Sequence, residues 1–162
     1  MDAYHEFFSA SVSASAAFIG LLFVALAYID SANVQETTRA WRRIIASSSF
    51  AQLTNIFFVS LAALLPDPHN AALVGCVMAV LGLVVAWRLL PQTVKFENTG
   101  RRAPTLLGLT AVAAYLLQLG CAVGLLSNPN QPQLLSYFVL AIIILYTGAL
   151  ARAWEITGIK RR

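Results

Sequence analysis

Ser48, Gln52 and Asn55 follow one another at intervals of four and three residues inside a long apolar stretch, which places all three on one face of a helix. Amides and hydroxyls carry donors and acceptors but no charge, so their chemistry is hydrogen bonding to other helices, to water or to a hydrated solute. An unpartnered Gln or Asn in hydrocarbon is costly, and this face is therefore expected to look into protein or water. Gln118 lies at a similar depth in a later apolar stretch, with Tyr115 one turn before it. Ser11, Ser13 and Ser15 in the first stretch, and Ser136 and Thr147 in the last, supply further hydroxyls. Two roles fit this set. It ties helices together, at ~0.6 to 2 kcal/mol per contact, or it lines a narrow path in which neutral groups select weakly by size and dipole.

Other chemistry has few carriers. His5 and His69 flank apolar stretches, with neither metal-ligand spacing nor a partner that would make a catalytic triad. The sequence contains no Gly-rich phosphate loop, no H-E-x-x-H and no carboxylate pair near the centre of an apolar stretch. Cys76 and Cys121 lack a C-x-x-C partner and read as small packed residues. No Asp, Glu, Lys or His falls within about two turns of the midplane, which argues against a proton-relay pump or a voltage sensor. The expectation is a protein that is not an enzyme and uses no metal or cofactor.

The elements that position these residues are five apolar stretches at about 4–29, 41–65, 70–90, 105–126 and 134–154. Each is near or above the ~20 residues that a helix needs to cross ~30 Å of hydrocarbon. With 59% hydrophobic residues, 11% charged residues and a mean hydropathy of +0.72, the composition excludes a soluble globular domain. The fold expected is all-α, a polytopic bundle of five transmembrane helices forming one domain over residues 1–162. All eleven Lys and Arg residues fall on alternate connections, on the C-terminal tail or at the stretch ends beside them: Arg39, Arg42 and Arg43; Arg88, Lys95, Arg101 and Arg102; and Arg152, Lys160, Arg161 and Arg162. The connections 66–69 and 127–133 carry none. By the positive-inside rule the N-terminus is outside and the C-terminus cytoplasmic. Trp41, Trp87 and Trp154 all stand at the inner ends, as interfacial anchors do. A net charge of +4 is then directed at anionic lipid headgroups of the cytoplasmic face, and no module for nucleic acid accompanies it.

Small residues predict where helices meet closely. Gly75, Ala79, Gly82 and Ala86 share a stripe of the third stretch, Gly120 and Gly124 form a G-x-x-x-G in the fourth, and Ser9, Ser13, Ala16 or Ala17, and Gly20 form a seam in the first. These seams serve contacts within one subunit or between subunits.

The run from Ala16 to Leu26, AAFIGLLFVAL, after an acidic aromatic tail, resembles the first helix of small, poorly characterised bacterial integral membrane proteins. The resemblance implies a multi-pass protein of the bacterial inner membrane and transfers no activity, cofactor or catalytic residue. Two functions are expected. One is a homo-oligomeric channel or pore, with the Ser48, Gln52 and Asn55 face on a common axis, and Gln118 or Ser13 as supports. The other is an accessory or modulator subunit, whose seams bind the helices of a larger membrane complex.

Overall fold

A computed structural model describes residues 4–31, 36–97, 103–129 and 131–156. Asp2, Arg101, Arg102, Lys160, Arg161 and Arg162 lie outside the described residues, as do the side chains of Arg39, Trp41 and Lys95. The chain forms α1 (His5–Ser31), α2 (Glu36–Ala63), α3 (Pro68–Glu97), α4 (Ala103–Ser127) and α5 (Pro132–Ile156), with no strand among the described residues. All five are long and apolar enough to cross a membrane.

Local sequence explains the ends. Pro68 and Pro132 occupy first helical positions, where a missing N–H costs nothing and a fixed φ is already helical. Asp67 caps α3, its Oδ1 accepting from the His69 N–H at 3.0 Å. The sequence suggests a break at Pro91, but α3 continues through it to Glu97. Pro91 is exposed, and it lies beyond the apolar span that ends at Leu89, where water can take up the carbonyl that the missing N–H frees.

α2 touches α1, α3 and α5, and α4 touches α3 and α5. The helices α2, α3, α4 and α5 therefore close a four-membered ring, and α1 lies against α2 outside it. α1 also reaches α5, through a 3.0 Å hydrogen bond between the Tyr4 hydroxyl and Ser136 Oγ and an edge-to-face contact of Phe18 with Tyr146. Half of the α2 span (50%) is buried, against 17% for α1 and 22% for α3. α2 is also the least apolar of the five. Its polar face is what needs the interior, while large apolar side chains such as Leu21, Val24, Leu73 and Val77 remain exposed, as lipid-facing residues do.

The ring has two unlike ends. The short α2–α3 and α4–α5 turns lie at one, called here the turn end; Arg42, Arg43, Arg88 and Arg152 stand at the other, the basic end.

Candidate functional site

The helical period of α2 brings Asn55, Gln52 and Ser49 to the inner face of the ring. Asn55 is 1% exposed and Gln118 of α4 is 0% exposed. Their amides pair edge to edge: Asn55 Nδ2 donates to Gln118 Oε1 at 2.9 Å, and Gln118 Nε2 donates to Asn55 Oδ1 at 3.0 Å. Gln118 Nε2 also donates at 3.0 Å to the carbonyl of Gly75 on α3. Since α2 and α4 stand across the ring from each other, the pair spans its diagonal and ties in a third helix. Burial strengthens each of these bonds and raises the cost of losing one.

Gly75 serves this junction through its lack of a side chain. Its carbonyl receives Gln118 while the Phe138 ring of α5 closes on its Cα, and a Cβ there would lie 2.9 Å from Phe138 Cζ and 3.4 Å from Ala122 Cβ. Closer to the basic end, Tyr115 lies against Gly82: a Cβ at 82 would overlap Tyr115 Cε1 and Cζ, with Cδ1 at 2.7 Å.

Between the amide pair and the basic end the core turns polar. Ser49 Oγ, Gln52 Oε1 and the Tyr115 hydroxyl are buried there without hydrogen-bond partners, and so, elsewhere among the described residues, are Thr54 Oγ1, the Tyr146 hydroxyl and, nearer the turn end, Ser60 Oγ. Arg152, only 7% exposed, sits within electrostatic range of Tyr115. Towards the turn end the core is mostly apolar, built on Phe8, Ile56, Val59, Leu125 and Phe138.

The predicted polar residues separate into two groups. Gln52, Asn55 and Gln118 come together in the ring, and Ser48 is half-buried beside them. Ser13 is elsewhere: it is exposed on α1, its hydroxyl donating to the Ser9 carbonyl at 3.2 Å, because α1 is outside the ring. Ser136 and Thr147 also donate to carbonyls of their own helix, at 3.0 and 2.9 Å. The expected placement of the Ser48, Gln52 and Asn55 face on an axis between copies needs correction. Gln52 and Asn55 turn into the interior of one chain, where Gln118 and Gly75 supply the partners that the amides require.

The seams divide in the same way. Gly75, Ala79 and Gly82 are buried in helix contacts, and Gly124 packs under Leu134, whose Cδ1 would lie 2.8 Å from an added Cβ. Gly20 and Gly120 are exposed, with nothing within 4 Å of an added Cβ, so they make no close contact inside the chain. Cys76 and Cys121 are free thiols. No cluster of metal-ligating side chains occurs among the described residues.

Sequence reasoning missed Arg152 as an interior residue, assigning it to topology alone. The signal was present: Arg152 extends the buried stripe Phe138, Ile142, Leu145 and Ala149 at spacings of four, three, four and three. It also missed Gly148, where a Cβ would lie 3.4 Å from the unpartnered Gln52 Oε1, an ordinary contact. Gly148→Ser is therefore expected to unfold at a higher temperature than Gly148→Ala. The added hydroxyl donates to Gln52 Oε1 for about 1 kcal/mol, which exceeds the ~0.5 kcal/mol by which alanine is the better helix former. Equal midpoints in detergent would show that the oxygen is not reached. Compared with models of protein families, with curated proteins and with solved structures, the chain matches none.

Proposed function

We propose that the chain is a non-enzymatic accessory subunit of a larger membrane assembly, joined to its partner through the outward face of α1. The observation that carries this reading is the direction of the α1 seam: Ser9, Ser13, Ala16, Ala17 and Gly20 are all exposed and lie on one stripe. Small side chains allow another helix backbone to approach closely, and in lipid that packing replaces the hydrophobic drive. In this reading the basic end is cytoplasmic, in a bacterial inner membrane, and the partner is another helix bundle or a further copy of this chain.

Gly20→Leu is expected to weaken the association by about tenfold or more, equivalent to ~1.4 kcal/mol, while the thermal midpoint of the isolated chain does not fall, because nothing inside it lies within 4 Å of an added Cβ at position 20 and leucine is the better helix former. The measurement is particle mass in native-membrane nanodiscs for both forms. An unchanged mass would sink this interface.

A second reading, an ion or solute channel, draws support from the polar half-core. Hydroxyls and amides without protein partners recruit water, and a buried Arg at the entrance favours anions. The Asn55–Gln118 pair then acts as the gate of a path through one chain. Flux in proteoliposomes that is absent in the wild type and appears in Asn55→Ala/Gln118→Ala would favour this reading; no flux in either would remove it.

A further inference from the structure

Of the buried oxygens without a protein partner, three belong together. Thr54 and Tyr146 border outward-facing grooves and Ser60 stands nearer the turn end, whereas Ser49, Gln52 and Tyr115 share one stretch of the ring interior. Each of these three is no more than 2% exposed. Gln52 and Tyr115 both precede a member of the amide pair by three residues, on helices that run in the same direction, so both lie ~4.5 Å nearer the basic end. Ser49 is the next turn of the Gln52 face. Ser13, Ser15, Ser136 and Thr147 each donate to a carbonyl one turn back in their own helix. Ser49 makes no such bond.

The other two helices put little at this level. α5 passes Gln52 at Gly148, which has no side chain to cover the amide oxygen, and the three atoms nearest a Cβ placed there all belong to Gln52, at 3.4 to 4.0 Å. α3 contributes Ala79, a buried methyl group one turn beyond Gly75. Chemistry selects what belongs between these groups. An anion finds no donor at the amide oxygen, and a cation at the Tyr115 hydroxyl would stand within electrostatic range of Arg152. Water donates to an amide oxygen and accepts from a hydroxyl, and in protein interiors it makes ~3 such bonds.

We propose that the ring holds resident water at this level, in a small cluster that donates to Gln52 Oε1 beside Gly148 and accepts from the Ser49 and Tyr115 hydroxyls. The site rests on the same polar half-core as the channel reading but requires no passage, and it stands whether or not any solute crosses the membrane.

The test is radiolytic hydroxyl-radical footprinting of the full chain in nanodiscs, read by mass spectrometry, because water bound inside a protein is radiolysed in place and oxidises the aromatic ring beside it. Rates are normalised to the same residues in the denatured chain. Tyr115 is expected to be oxidised several times faster than Phe138, an equally buried ring in the apolar half. Gln52→Met, which keeps the shape and removes the acceptor, and Ser49→Ala, which removes the donor, should each slow Tyr115 towards the Phe138 rate. Melting in detergent identifies a variant that fails to fold, in which case the other decides. A wild-type Tyr115 as protected as Phe138 overturns the proposal. So does a Tyr115 rate that neither folded variant changes, since water then reaches the ring without Ser49 or Gln52. Fast oxidation of Tyr115 in a protein that conducts nothing supports resident water and removes the channel reading, so the two fail separately.

Discussion

Gly82→Ala lowers stability by about 1–3 kcal/mol or more, the range for forcing a methyl group into a filled core. The loss comes despite alanine's advantage over glycine in a helix, ~1 kcal/mol in its own right. The added Cβ overlaps the ring of Tyr115, a side chain that is itself buried and must shift to make room. Gly120→Ala, made in the same way on the neighbouring helix, meets nothing within 4 Å and should be neutral or slightly stabilising. Thermal midpoints in detergent separate the two, and Tyr115→Ala in the Gly82→Ala background should be less damaging than the sum of the single changes. A Gly82→Ala protein that melts with the wild type would mean that the α3–α4 contact at this level is looser than described.

Gln118→Leu is expected to cost about 3 kcal/mol, since a buried donor or acceptor left unmade loses ~1–3 kcal/mol and the substitution orphans both polar ends of Asn55 from this pair. Asn55→Leu leaves Gln118 its bond to the Gly75 carbonyl and should cost less. The double Leu variant removes both amides at once, so its loss should be well below the sum of the two singles, a coupling of the sign that a double-mutant cycle detects. Additive losses would show that the amides do not depend on each other.

Much of this was legible in the residues. The lengths of the apolar runs specify five helices, and the four-and-three spacing of Ser48, Gln52 and Asn55 requires an inward face on α2. Which helix answers that face was not legible, because a donor and an acceptor at the right depth occur on several helices, and only the closure of the ring puts Gln118 opposite Asn55. The glycines show the same limit. Gly75 and Gly82 are buried while Gly20 and Gly120 are exposed, yet nothing local distinguishes them, since a small residue reports that an approach is possible and not what approaches. Arg152 was obscured by a competing explanation: a charge near a span's end satisfies the topology rule, which hid its membership of a buried stripe.

The diagonal amide pair also sets an order of events during biosynthesis. Asn55 precedes Gln118 by 63 residues, and at ~5–20 residues per second the ribosome completes α4 about 3 to 13 s after α2. Throughout that interval Gln52 and Asn55 are in the membrane before the bundle that will receive them exists. Until α4 arrives, α2, the least apolar helix, has α1 and then α3 as neighbours but no Gln118 to pair with. A nascent chain arrested after α3 has every residue of α2 in place and still leaves the Asn55 amide without the partner that α4 supplies.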